Sequence, residues 1–224
     1  MAKIISFTNR KGGCGKSTLL MLTATALKRR TKQRILVIDA DPQTSIMSQR
    51  EADLLEGRDN SYMFDLSAFN FSKQGEGDIP VLRFTKLIEK ANKDFDLIFI
   101  DAPGTMEGEV IPVILALSDI IVIPVVASIL DINSTLSFLS LVDSVNQQRE
   151  DDIKVLGIVN KKDRTYEYGQ LSGLEGKSNL HLLKSSLSNR VEYRRISTLK
   201  ELINKTKPHE FNDYLKELSK EIDL

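Results

Sequence analysis

Apolar positions in this chain gather into short runs without alternation, separated by stretches where they recur every three or four residues. Residues 4–8 (Ile-Ile-Ser-Phe-Thr) form the first run. A Gly-rich turn follows, then a helical pattern from Lys16 to about Arg30 carrying Leu19, Leu20, Leu22, Ala26 and Leu27. Residues 34–39 and 97–101 are further runs, each closing on an aspartate, and residues 120–124 and 155–160 read the same way. Helical segments are expected at about 107–117 and 132–148. Apolar runs without alternation belong to strands buried on both faces, and strands alternating with helices close into a parallel sheet. The predicted fold is therefore α/β, a mostly parallel twisted sheet with helices on both faces. Residues 50–80 and 165–179 read as polar, Gly-containing surface insertions. No internal repeat or linker breaks the pattern, so residues 1–224 are expected to form a single domain.

In such folds ligands sit at the carboxyl ends of the strands, where the loops after Thr8, Asp39, Asp101 and Asn160 converge. The segment Lys11-Gly12-Gly13-Cys14-Gly15-Lys16-Ser17-Thr18 lies there, after a strand and opening a helix. Glycines let successive N–H groups curl round phosphate oxygens, the helix N-terminus adds positive dipole, Lys16 supplies charge and Ser17 is placed to ligate Mg²⁺. This is the context of a P-loop nucleoside triphosphatase. The usual pattern asks for glycine at position 10, where Arg10 stands, and a second lysine occupies position 11. Cys14 fills the variable position and is expected to be incidental to the chemistry.

That departure is similar to the deviant Walker A signature, K-G-G-x-G-K-[ST], of the ParA/MinD family of ATPase switches, and other motifs resemble the family's in order and spacing. The resemblance implies that Lys11 reaches across a nucleotide-sandwich homodimer to the partner's phosphates and that Lys16 acts on the phosphates in its own site. It implies that residues Gly12, Gly13, Cys14, Gly15, Lys16, Ser17 and Thr18 cradle ATP. Asp39-Ala40-Asp41-Pro42-Gln43 resembles switch I, with Asp41 orienting the attacking water and Asp39 helping hold the Mg²⁺ shell. Residues 97–104 resemble Walker B and switch II, with Asp101 on Mg²⁺ through water and Gly104 sensing the γ-phosphate. Asn160 is placed on adenine. The string Asn160-Lys161-Lys162-Asp163 also spells the N-K-x-D of guanine-specific GTPases, so GTP stands as the alternative nucleotide to ATP.

Composition narrows the partners. The 31 basic residues balance the 31 acidic ones, so any nucleic-acid site is a local patch rather than a global field. From residue 182 to 208, Lys184, Arg190, Arg194, Arg195, Lys200, Lys205 and Lys207 face only Glu192 and Glu201. A similarly placed stretch in ParA relatives implies nonspecific DNA binding by Arg190, Arg194 and Arg195. A second basic cluster, Lys28, Arg29, Arg30, Lys32 and Arg34, closes the first helix and reads as structural. The apolar stripe Phe211, Tyr214, Leu215, Leu218 and Ile222 carries five acidic neighbours, which anionic lipid would repel, so no membrane partner is expected. A single cysteine excludes an intrachain disulfide and the cluster-bridging relatives of the nitrogenase iron protein type, and it suits a cytoplasmic location. No signal peptide, spanning segment or, at 224 residues, added N-terminal DNA-reading domain is expected. The resulting expectation is a weak, partner-stimulated ATPase of the short ParA type, working with Mg²⁺, nonspecific DNA and a DNA-binding adaptor of ParB type. A relative positioning a conjugation or other protein apparatus, a metabolic enzyme of the dethiobiotin-synthetase class, and an interaction switch with negligible turnover are the alternatives.

Overall fold

The computed structural model describes residues 1–224 apart from 73–78, 105–109, 127–128, 163–170, 172–173, 175, 202 and 204. The elements run β1 (Lys3–Phe7), α1 (Lys16–Arg30), β2 (Ile35–Asp39), α2 (Ser45–Leu55), β3 (Asp65–Ala68), α3 (Pro80–Asp94), β4 (Leu97–Asp101), α4 (Val110–Leu117), β5 (Ile120–Val125), α5 (Ile129–Asn146), β6 (Lys154–Lys162), β7 (Leu180–Ser188) and α6 (Glu210–Glu221). The seven strands pair in the order β3-β2-β4-β1-β5-β6-β7, every pair parallel.

The unalternated runs now have their reason. Within β2, β4 and β5 every residue is buried. Side chains still alternate between faces, with Ile35, Val37, Leu97, Phe99, Ile120 and Val122 on one core and Leu36, Ile38, Ile98, Ile100, Ile121 and Ile123 on the other. Helices α1 and α6 cover the first face, while α3, α4 and α5 cover the second. The crossovers reverse at β1, which lies between β4 and β5, so the carboxyl ends of β1, β2, β4 and β5 open onto one crevice.

Three boundaries differ from the sequence reading. Residues 50–80 are not an insertion alone: they hold the end of α2, the edge strand β3 and the start of α3. Phe64 is fully buried, and Phe69 and Phe71 pack on Phe84 at ring distances of 4.9 and 5.0 Å. Asp-Leu-Ser-Ala is too short and polar to announce a strand; pairing with β2 makes it one. In the second supposed insertion, Leu171 and Leu174 are buried and Lys177–Asn179 form a 3-10 turn, while the rest of 165–175 lies outside the described residues. Strand β6 continues through Lys162, so Asn160 and Lys161 belong to the strand end itself, and Asp163 lies outside the described residues.

The C-terminal stripe is core, as its composition implied: Phe211, Tyr214, Leu215, Leu218 and Ile222 are all buried. Two of the acidic residues beside it face β7, an edge strand. Glu217 accepts the Lys184 and Ser185 N–H groups at 2.7 and 2.9 Å, and Glu210 accepts that of Ser188 at 2.9 Å. Carboxylates thus occupy edge amides that would otherwise be open to another chain. The basic end of α1 is likewise structural, with Arg29 on the Leu199 carbonyl, Arg30 on Glu201 and Asn212, and Arg34 on Asp96. Among the described residues no helix is long and apolar enough to cross a membrane.

Candidate nucleotide site

At the crevice, the loop between β1 and α1 turns through Gly13 and Gly15, both with positive φ (74° and 97°). Gly15 is also the residue from which α1 starts, and a Cβ there would stand 2.4 Å from Asn160 Nδ2. Two residues set the loop from behind. Asn9 is buried, donating to the Pro124 carbonyl at 2.8 Å and accepting the Lys11 N–H at 3.3 Å. Asn160 donates to the Cys14 carbonyl at 2.8 Å.

A cleft of about 790 Å³ opens over this loop. Its lining brings together Gly12, Gly13, Gly15, Lys16, Ser17, Thr18, Asp41, Gly104 and Asn160, while Lys11, Cys14, Asp39 and Asp101 lie outside it. The two lysines of the motif part company. Lys16 is buried, its ammonium 3.4 Å from the Lys11 carbonyl, whereas the Lys11 side chain is exposed and outside the cleft lining. Gly104 stands close to Lys16 and Gly12: a Cβ there would lie 3.3 Å from Lys16 Nζ and 3.7 Å from Gly12 Cα, so the turn after β4 approaches the loop closely. Cys14 is buried beneath the loop, donating to the Lys11 carbonyl. Burial pushes its thiol above the ordinary range and Lys16 only partly offsets this, so it is poorly disposed to react.

Two fully buried carboxylates stand at the ends of β2 and β4. Asp39 uses Oδ2 to cap α2, accepting from Ile46 and Met47 N–H at 3.0 and 3.1 Å, and leaves Oδ1 without a partner among the described residues. Neither oxygen of Asp101 meets a partner in hydrogen-bonding geometry there. Burial raises Asp101 to about 7, with the Ser17 hydroxyl pulling it part of the way back. Burial also raises Asp39, against the bonds from Met47 and Ile46. Acceptors that are buried and unbonded are rare in folded proteins. Beside Ser17 they form the donor set that suits a hydrated Mg²⁺, which takes few protein ligands and keeps its waters. Asp41, half-buried, ties down its own turn by accepting the Gln43 N–H at 2.9 Å.

The opposite wall was not foreseen as part of this site. Arg190, Tyr193, Arg194 and Ile196 line the cleft, and Arg195 is exposed outside the lining. Arg190 is held at 3.1 Å by Glu210, which also accepts the Tyr193 hydroxyl at 2.9 Å. The sequence marked these arginines as a basic stretch; only the fold puts two of them on the rim of the nucleotide cleft. Gln43 and Lys161, also in the lining, stood inside the switch I and N-K-x-D strings without a role of their own, and Gln49 stood outside every motif.

The model of the CobQ/CobB/MinD/ParA nucleotide-binding domain matches residues 5–203. Over 184 residues the chain is 26% identical to the sporulation initiation inhibitor protein Soj of Bacillus subtilis, covering 71% of this chain and 72% of that one. It is 24% identical over 148 residues to the maintenance of carboxysome distribution protein A of Halothiobacillus neapolitanus, covering 64% of this chain and 59% of that longer relative. A plasmid partition protein from Borrelia burgdorferi, solved with AMPPNP, superposes with a TM-score of 0.67 at 20% identity, over 98% of each chain, and so shares the P-loop α/β fold. With the family model spanning most of the chain over the same loop, cleft and strand ends, this protein belongs to the CobQ/CobB/MinD/ParA nucleotide-binding domain family.

Proposed function

We propose that this chain is a cytoplasmic ATP-dependent dimerising switch of the ParA type, which grips nonspecific DNA when ATP-bound and lets go after hydrolysis. The observation that carries the reading is the division of the two loop lysines. Lys16 is buried in its own cleft, while Lys11 is exposed beyond it, where it would serve a second copy's phosphates. A cation supplied by the partner makes the dimer depend on the triphosphate it neutralises. Ser17, with Asp39 and Asp101 behind it, would hold Mg²⁺, which when bound neutralises charge on the phosphate oxygens. Asp41 would orient the attacking water, and Asn160 would meet the adenine.

DNA contact falls to Arg190 and Arg194 on the rim of the cleft and to Arg195, exposed outside its lining, so that closing the nucleotide site and presenting the basic edge become one event. An adaptor of ParB type would stimulate turnover. The name of the Halothiobacillus relative supports a second reading, in which the same cycle distributes a protein assembly instead of a plasmid.

The deciding measurement is binding to random-sequence duplex DNA with ATP and with ADP at fixed salt. ATP-only binding that weakens as salt rises is expected, and log affinity should fall against log salt by about 0.9 per phosphate neutralised. Binding with neither nucleotide would remove DNA as the cargo. Lys16→Ala is expected to abolish the ATP-induced dimer seen by light scattering. Asp41→Ala should trap that dimer, and normal single-turnover hydrolysis in this variant would take Asp41 out of the reaction.

A further inference from the structure

The end of β6 is irregular where it meets the phosphate loop. Its register against β7 shifts between Val159 and Lys162, and Lys161 takes the left-handed backbone conformation with φ 56°. That conformation is costly for a residue with a side chain, and bulges of this kind re-aim side chains. Here the bulge sends the Lys161 ammonium onto the Gly13 carbonyl, beside the Asn160 amide on the Cys14 carbonyl at 2.8 Å. Two successive carbonyls of the loop are therefore held by donors from one strand end. In a trans peptide the C=O and the following N–H point opposite ways. Fixing the Gly13 and Cys14 carbonyls on β6 turns the N–H groups of Cys14 and Gly15 away from the strand, as an anion-binding loop requires. A charged donor on the carbonyl also polarises the peptide, strengthening the N–H at its other end.

We propose that Lys161 is a positioning residue for the phosphate loop: a strained strand end latches the Gly13–Cys14 peptide so that its N–H is preset for a nucleotide phosphate. The inference rests on the nucleotide-binding site alone and is independent of DNA, partner and cargo. It also gives the lysine of the N-K-x-D string a role that does not depend on the identity of the base.

The latch predicts opposite effects on folding and on binding. Lys161→Gly removes the ammonium and relieves the left-handed backbone at once. The nucleotide-free variant should melt at or above the wild-type temperature, while its Kd for Mg·ADP and for Mg·AMPPNP, by calorimetry, should rise about tenfold for both. Lys161→Arg, which still donates, should recover most of the loss, and Lys161→Met should not. Inorganic pyrophosphate should lose affinity in the same proportion. A melting temperature that falls in step with affinity would make Lys161 merely structural and overturn the proposal. So would an unchanged Kd, a loss confined to AMPPNP, which would mean contact with the γ-phosphate, or a loss absent with pyrophosphate, which would mean contact with the nucleoside. Wild-type protein that binds neither nucleotide would overturn the site itself along with the latch.

Discussion

Asp101 shows at the scale of one residue how a site and a core compete. Both carboxylate oxygens are buried without a bonded partner among the described residues, and burial carries the group to about 7. In the protein alone this charge is a cost, which nucleotide and cation would offset. Asp101→Asn keeps the shape and removes the charge. Its nucleotide-free form should be more stable by roughly 1 kcal/mol, measured by denaturant unfolding, while Mg²⁺-dependent nucleotide binding is lost; lower stability would mean that the carboxylate is satisfied in a way this geometry does not include. Asp101, like the loop lysines, was legible in the sequence because its meaning lies in adjacent residues: a strand run, then an acid at its end. Asn9 and Lys161 were not, since each acquires its role from a backbone carbonyl 115 and 148 residues away.

Among the elements, α6 and β7 show the same division. The apolar stripe of α6 has a helical period, so its burial could be read directly; that its acids cap an edge strand could not, because β7 (Leu-His-Leu-Leu-Lys-Ser-Ser-Leu-Ser) is only partly buried and gives a weak strand signal. Strand β3 escaped for a related reason, being made by its pairing with β2 rather than by its own residues. The acidic caps give this edge a pH dependence. Burial alone would push Glu217 up, but bonds from Ser185 and Lys184 outweigh it and hold the carboxyl below its usual 4.5, and Ser188 and Tyr193 do the same for Glu210. Groups lowered on folding contribute stability above their unfolded value, and this is lost as pH falls through the lowered native one. The melting-temperature gap between wild type and Glu217→Gln should therefore be widest near neutrality and close as the pH drops below about 4. A gap that persists unchanged into acid would assign the effect to packing.

Across the whole molecule, the two walls of the cleft are tied together by a buried acid that no motif announced. Asp53, fully buried in α2, accepts the Thr198 N–H at 2.6 Å, the Thr198 and Ser197 hydroxyls at 2.8 and 3.0 Å and the Gln49 amide at 3.1 Å, with Arg58 at 3.3 Å. Arg50 beside it bonds Thr198 and the Phe64 carbonyl while stacked 4.5 Å over the Phe64 ring. Helix α2 begins just after Asp41 and Gln43 on one wall, and Thr198 lies two residues beyond Ile196 on the other. Gln49 belongs to both the lining and the clasp. Asp53→Ala leaves the donors of Ser197 and Thr198 without their acceptor, at a cost of about 3 kcal/mol. For a chain of 224 residues that corresponds to a melting temperature lower by roughly 6–12 °C. If the clasp joins the walls, amide-exchange protection should fall together in the first turn of α2 and in residues 196–199, although 140 or more positions separate them. Loss confined to the neighbourhood of Asp53 would make the network a local anchor, and the arginine rim would then move independently of Asp41.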